Sequence, residues 1–497
     1  MRLLKPLLLA SAAGLLAVGA ASAADLPTKK TPPAAEKPNC YASFWTWLDS
    51  TAADCPLSAY GITVYGTIDM GGGYESHASK FNNDYNNGVA ELIAKTSGNA
   101  KWQLVPNGLS QSNVGVKIKE QVAPNWYVIG DINTGFDPYS MRLADGPQSL
   151  VDNNGIAGSP AQSANGDSSR AGQWDNTRAY AGLSNSTFGT LTAGRQYAFS
   201  NDLANNYDPT GGSYGFSLIG SSGTPVGGLG DTELARYNTS VKYVLQYNIV
   251  RAGALVQLGN YSEGNAAENA YQFDIGGDYA GFSVDGIYSH AEDAVFLSAL
   301  SHATLVAHPW AADDLGATIA NVDSWALAGK YKNGPFQAFA GYAYDRLTDP
   351  TDSYAAEQAA DGFNSIAGID VPGNTMIGSN ISTTGYKFGA KILQTAWVGA
   401  KYAVLSNLDI SGGYYYEWQN NYSGTSCPVD TGKNCAGHEP VYAGLIDWRP
   451  VKRVDLYAGV MYSAVYGGLA NGYTHPDGKA WTDPNNTAFT SGVRVAF

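Results

Sequence analysis

The chain has 497 residues, with 44% hydrophobic side chains, 59 Gly, 33 Tyr and a mean hydropathy of −0.20. Aromatic residues suit strands and Gly suits turns and close packing, so this composition points to a large antiparallel sheet and away from a Leu-rich helical core. A formal net charge of −14 argues against nucleic acid as a partner.

Met1–Ala23 carries Arg2 and Lys5, then a short apolar run, then Ala21-Ser22-Ala23 ahead of Asp25. This reads as a cleaved signal peptide and predicts export, leaving a mature chain two charges more negative. The sequence offers no other run approaching a spanning helix, so a membrane-inserted form has to cross as strands. Residues 24–61 read as an N-terminal extension on the periplasmic side, starting with a Pro- and Lys-rich linker. In it Cys40 and Cys55 flank Phe44, Trp45 and Trp47, while Cys427 and Cys435 flank a short polar stretch late in the chain. In an oxidising compartment local disulfides Cys40–Cys55 and Cys427–Cys435 are the natural pairing. Zinc is the alternative, disfavoured because no pair is spaced Cys-x-x-Cys and His438 is the only nearby imidazole. Capping the periplasmic mouth, docking beside it and tethering the chain are all open roles for the extension.

From Ile62 to Phe497 the chain resolves into about sixteen alternating segments of roughly 9 to 14 residues, the length of tilted outer-membrane strands. The first, Ile62–Met70, sets Ile62, Val64, Ile68 and Met70 against Thr63, Tyr65, Thr67 and Asp69. The second, Ser112–Glu120, places Lys117 and Lys119 on its polar face, and the third is Trp126–Phe136. The fourth and fifth are 177–185 and 189–197, where Ala179, Ala181 and Leu183 alternate with Arg178, Tyr180 and Gly182. A polar, acidic stretch from Asn201 to Gly212 follows, too long for an ordinary hairpin loop. The remaining segments are 235–246, 252–261, 271–279, 282–290, 323–332, 336–345, 396–405, 408–418, 441–448, 454–466 and 488–497, with a turn predicted at Asn333-Gly334. Short turns alternate with eight long loops. This rhythm predicts an all-β transmembrane antiparallel barrel with short periplasmic turns and long extracellular loops; a soluble sandwich or propeller has no reason to obey it.

Thr177-Arg178-Ala179-Tyr180-Ala181-Gly182-Leu183, then Gly194-Arg195-Gln196-Tyr197 and an acidic loop, together with Val64-Tyr65-Gly66-Thr67-Ile68-Asp69, resemble the general porin family of Gram-negative outer membranes. The resemblance implies a trimeric barrel of sixteen strands with its third loop folded into the lumen, and an arginine cluster facing acids across a constriction. Carried onto this chain, the cluster is Arg178, Arg236 and Arg195, and the acids are Asp202 and Asp208. Alternation alone points Arg178, Arg236, Lys117, Lys119 and Lys242 inward but Arg195 outward; the lumen is preferred for Arg195 because charge facing lipid is costly. The terminal Phe497 resembles the signal by which the barrel assembly machinery recognises its clients.

The function implied is an outer-membrane porin: a passive channel for ions and small hydrophilic solutes, mildly cation-preferring because Thr67 and Asn113 are neutral and the total charge is negative. A substrate-selective channel for sugars or small acids is the first alternative; an adhesin or phage-binding protein anchored by the barrel is the second. Tyr414, Tyr415, Tyr416 and Trp418 read as interfacial girdle rather than a sliding track. No catalytic constellation, metal site or cofactor is expected, since no His-Glu-x-x-His pattern occurs and Asp313-Asp314 reads as a solvated loop pair. Partners expected are lipid, two further copies of the chain, with small outward Ala179 and Ala181 at their contact, the assembly machinery, and solutes.

Overall fold

The computed structural model describes residues 39–77, 100–136, 138–139, 141, 177–220, 236–259, 267–299, 315–349, 351, 365–366, 369–370, 381–382, 390–422, 435–470 and 484–497. The leader, the linker to residue 38, Cys427 and Asp313-Asp314 lie outside them. Sixteen barrel strands follow in chain order: β1 (Ile62–Glu75), β2 (Asn113–Ala123), β3 (Trp126–Gly135), β4 (Arg178–Asn185), β5 (Gly189–Tyr197), β6 (Arg236–Tyr247), β7 (Val250–Gln257), β8 (Asn269–Tyr279), β9 (Phe282–Ala299), β10 (Leu315–Asn333), β11 (Phe336–Thr348), β12 (Lys391–Leu405), β13 (Leu408–Gln419), β14 (Gly437–Val451), β15 (Val454–Ala464) and β16 (Asn485–Ala496). Each pairs antiparallel with the next, and β16 returns to β1 through Thr67↔Ala496 to Glu75↔Ala488. Closure joins the first strand to the last, the condition a sheet must meet to sit in lipid.

Strand alternation sets the two faces. On β1 Ile62, Val64 and Ile68 are exposed outward, while Asp69 is fully buried on the inner side. Outward apolar side chains continue round the barrel as Val116, Leu183, Leu191, Ile275, Leu327, Val398 and Ile446. Seven tight turns, at 124–125, 186–188, 248–249, 280–281, 334–335, 406–407 and 452–453, share one rim with Ile62 and Phe497. Several use left-handed backbone, as at Asn125, Asn248 and Ala280-Gly281.

All sixteen predicted segments are present with several ends shifted, as where 252–261 becomes Val250–Gln257, 396–405 becomes Lys391–Leu405 and 441–448 becomes Gly437–Val451. β9 and β10 run well past their predicted ends at residues 290 and 323, through a bulge between Ala291 and Ala294 where Asp293 takes φ 51. Glu292 and Asp293 interrupt the alternation at that bulge, so hydropathy could not carry the strand across it. The β10–β11 loop is residues 334–335 rather than 333–334, because Asn333 pairs with Phe336.

Of the disulfides, Cys40–Cys55 is formed, with a Cα–Cα distance of 5.3 Å, and Cys435 is also disulfide-bonded. The segment between Cys40 and Cys55 holds the one-turn helix α1 (Phe44–Leu48), capped by the Ser43 hydroxyl accepting from Thr46 N at 3.1 Å.

Because Ile275 is 66% exposed on the outward face of β8, Ile275→Arg should lower barrel stability in bilayers by about 2 to 4 kcal/mol if that face meets hydrocarbon. Reversible denaturant unfolding in liposomes measures it, with Ile275→Leu as the neutral comparison.

Candidate pore constriction

The connection after β5 turns into the barrel. Ala198 leaves the strand, and helix α2 (Phe199–Tyr207) buries Phe199, Ser200, Leu203, Ala204 and Tyr207, the positions that fall on one face at 3.6 residues per turn. Asp202 sits in the first turn, where a carboxylate complements the helix N-terminus. Asn205 and Asn206 are exposed on the opposite edge.

This loop is anchored along its length to inward groups of the wall. Phe199 N donates to Gln272 Oε1 at 2.7 Å, Trp397 Nε1 donates to Tyr207 O at 3.0 Å, and the Tyr207 hydroxyl donates to Asp285 at 2.5 Å. Asp208 follows, and its carboxylate accepts from Thr210 N, Thr210 Oγ1, Gly212 N, Ser217 Oγ and the Tyr415 hydroxyl at 2.5 to 2.9 Å. Farther on, Gly215 N donates to Gly108 O at 2.8 Å, carrying the loop to the neighbourhood of β1. Burial pushes the Asp208 carboxyl up, against the pull of these donors, and burial followed by the Asp285 contact raises the Tyr207 hydroxyl.

Room for the loop comes from glycines at inward strand positions. A Cβ at Gly253 would stand 2.3 Å from the Phe199 ring, one at Gly399 2.4 Å from Pro209, and one at Gly459 2.5 Å from Phe216. Each is a contact no real side chain makes, so the bare backbone is the seat for the ring placed on it.

Across the wall of β2, β4 and β6 runs a row of cations laid on aromatic rings. Lys119 is 4.9 Å from the Tyr127 centroid and Lys117 4.2 Å from Tyr65; Arg178 and Arg236 lie 4.8 and 5.0 Å from Tyr197; Lys242 is 4.3 Å from Phe199. Arg178 also donates to the Tyr65 hydroxyl at 2.8 Å and lies 3.3 Å from Asp131, which accepts from that hydroxyl. Lys242 forms an ion pair with Asp202 at 2.7 Å. Arg178, Arg236, Lys242 and Asp202 are thereby gathered round Tyr197 and the start of α2, and Lys117 joins them through Tyr65.

Two predicted constriction residues are placed differently. Asp208 is only 2% exposed and its oxygens are saturated by the loop and by Tyr415, so it holds the loop in shape and presents no charge to the pore. Arg195 stands directly opposite Ala179, on the face shared by Ala181 and Leu183, and donates to Asn238. Regular pairing persists to Arg195 on the β4 side, whereas its pairing with β6 is irregular between Gly194 and Gln196, beside Thr239 (φ 47); only 7% of Arg195 is exposed, so it is sheltered within the wall.

Elsewhere the inner wall neutralises itself. Lys401 and Arg449 both reach Asp409, Arg449 also reaches Asp447 at 2.7 Å, and Arg494 pairs with Asp455 at 2.8 Å. A recess of about 310 Å³ lies between the Asp208–Gly211 turn and this wall.

The description of Gram-negative porins matches residues 10–468 of the chain. The chain belongs to the Gram-negative porin family. It is thus a channel-forming protein of the outer membrane, and its fold is shared with solved porins. The anion-selective porin from Comamonas acidovorans aligns with a TM-score of 0.51 at 12% identity, over 88% of this chain and 99% of that one. Outer-membrane expressed OmpT of Vibrio cholerae aligns with 0.52 at 14%, over 89% and 100%. The trimer form of in-vitro folded OmpT aligns with 0.50 at 13%, over 88% and 99%. No individually curated protein sequence matches the chain.

Sequence reasoning missed Tyr197, Tyr207 and Trp397 as residues that hold this porin's loop and its cations, and it read Tyr415 as girdle where the structure buries it against Asp208. The available signal was inward Gly on strands that are otherwise well filled, which marks close approach of another segment. Gly253→Val should drive Phe199 from its seat and loosen α2, raising single-channel conductance and current noise. Asp208→Ala, which strands buried donors at about 1 to 3 kcal/mol each, should do the same; unchanged conductance and noise in both would show that the loop does not narrow the pore.

Proposed function

We propose that this porin is a passive diffusion channel for ions and small hydrophilic solutes, mildly cation-preferring. The observation that carries the reading is α2 lying inside the barrel with a hydrated amide edge, Asn205 and Asn206, beside the paired Asp202. Such an edge exchanges hydrogen bonds with water and solute alike and offers no apolar site to hold one ligand. Cation preference follows from the net charge of −14 together with the neutralisation of the basic wall: Arg178 has Asp131, Lys242 has Asp202, and Arg251 has Asp278 and Asp285.

The porin is further read as a homotrimer, the form named for the Vibrio cholerae OmpT neighbour. Exposed aromatics Phe273, Tyr288, Trp325, Tyr442 and Phe489 mark the outward face from β8 round to β16, the girdle that lipid headgroups favour. Between its rims the face of β2–β5 instead presents Val114, Val116, Val128, Leu183 and Leu191 with Ala181 and Ala193, small and aliphatic groups that let another barrel approach. Phe497 exchanges backbone hydrogen bonds with Gly66 at 2.9 and 3.0 Å, a terminal position consistent with its reading as the assembly signal.

Zero-current potentials across a planar bilayer under a salt gradient test the channel. A unit charge acting through water is worth about 1 kcal/mol at 4 Å, so Asp202→Asn, which frees Lys242, should lower the cation-to-anion permeability ratio by about two- to fivefold, and Arg236→Met should raise it. A closed barrel would not conduct, and a substrate-selective one would show block by its solute. For the trimer, Ala181→Arg should convert the native mass in mild detergent from three chains to one; a wild-type protein found only as monomer sinks the assignment.

A further inference from the structure

The last strand stops short of the rim. Phe497 pairs with Gly66, so the row beside β1 that β16 occupies is empty opposite Ile62–Val64. The other side of that stretch of β1 is taken by β2, through Ile62↔Ile118 to Thr67↔Asn113. Into the empty row comes Leu57–Ala59, folded back by a tight turn at Tyr60 (φ 53) and Gly61 (φ 74) and registered as Leu57↔Val64, Ser58↔Thr63 and Ala59↔Ile62. It runs in the same direction as β16, as though the last strand continued for three more residues. Pro56, which has no N–H to leave unpaired, stands at the join.

What precedes this piece is fastened to the neighbouring turn of the barrel. Arg453, in the β14–β15 turn and only 2% exposed, donates from Nε to Trp47 O at 2.9 Å and from Nη2 to Thr51 O at 3.0 Å and Cys55 O at 2.6 Å. Its guanidinium lies 4.3 Å from the Trp47 ring. The backbone carbonyl of Arg453 meanwhile accepts from Ala496 N at 2.9 Å. One residue therefore holds the last strand with its main chain and the N-terminal segment with its side chain. The Cys40–Cys55 bond closes the segment into a loop whose carbonyls converge on that guanidinium, and the Tyr41 hydroxyl adds a 2.6 Å bond to Pro56 O.

We propose that residues 40–59 are a clasp that completes barrel closure: Leu57–Ala59 serves as the missing end of β16, and Arg453 with the Cys40–Cys55 loop locks it against β1 and β15. The clasp makes the seam between first and last strands depend on an oxidised N-terminal segment, and this role does not depend on what the channel passes.

Hydrogen exchange on the full chain in detergent micelles tests it, comparing wild type with Arg453→Met, which keeps the side chain's bulk and removes its donors. Amides of residues 57–66 and Phe497 should exchange at least tenfold faster, while those of β8 and the paired part of β9 on the far wall keep their wild-type rates. If Arg453→Met does not fold, the Cys40→Ser/Cys55→Ser variant supplies the same readout, with the same local acceleration expected. Unchanged exchange at the seam, or equal acceleration round the whole barrel, would overturn the clasp.

Discussion

A loop can stay inside a water-filled barrel only if its bonds to the wall outcompete water for the same groups, and the contact between Asp208 and Tyr415 is the one on which the rest of the interior depends. Five donors converge on the Asp208 carboxylate, four from the loop itself and one from β13. The turn at Asp208 is thereby closed locally and tied to β13 by the buried Tyr415 hydroxyl, beside the wall bonds of Phe199 and Tyr207. Away from bulk water such a charge-assisted network is stronger than its pairs would be at the surface. With the turn held there, α2 is positioned upstream, with Phe199 on Gly253, and Phe216 downstream on Gly459. The rim of the constriction is then drawn by residues that make few anchoring contacts themselves.

The same economy governs the cations. A lysine or arginine on the inner wall of a pore has to be kept from collapsing onto the nearest carboxylate if it is to act on a passing ion. Here Lys117, Lys119 and Arg236 are laid along aromatic faces, while Arg178 and Lys242 combine such a face with a carboxylate, Asp131 and Asp202. On the wall formed by β12 to β16 the opposite solution appears, with Lys401, Arg449 and Arg494 each paired to aspartates. The lumen thus has one side whose cations rest on aromatic rings, two of them also ion-paired, and one whose cations are held by aspartates.

How much of this was legible in the sequence follows from the period of a strand. Alternation over two residues reports the face of a side chain, so the sixteen segments and the inward set Lys117, Lys119, Arg178, Arg236 and Lys242 could be read directly. It also pointed Arg195 outward, and Arg195 does pair opposite Ala179, yet only 7% of it is exposed, which alternation does not report. What alternation does not carry is saturation. Asp202 and Asp208 are six residues apart in one acidic loop, yet one is half-exposed and paired with Lys242 and the other is sealed by Tyr415, more than two hundred positions away in the chain. The extension before Ile62 was opaque for a related reason: its partner Arg453 is a single residue in a distant two-residue turn, and neither side shows a periodic pattern.

Selectivity in such a channel consequently depends most on which charges are left over at its narrow part, with the formal total as a weaker contribution. The net charge of −14 is a property of the whole chain, and a charge on an outer rim acts through bulk water over a Debye length of about 8 to 10 Å. A charge at the loop edge acts within a narrowed passage where less water intervenes. Asp202 and Lys242 form the ion pair at that edge, between the anchored helix and the aromatic-backed wall. Because the two charges nearly cancel, altering either one uncovers its partner as well, so a single substitution at this pair shifts the local balance by a full unit charge where the passage narrows.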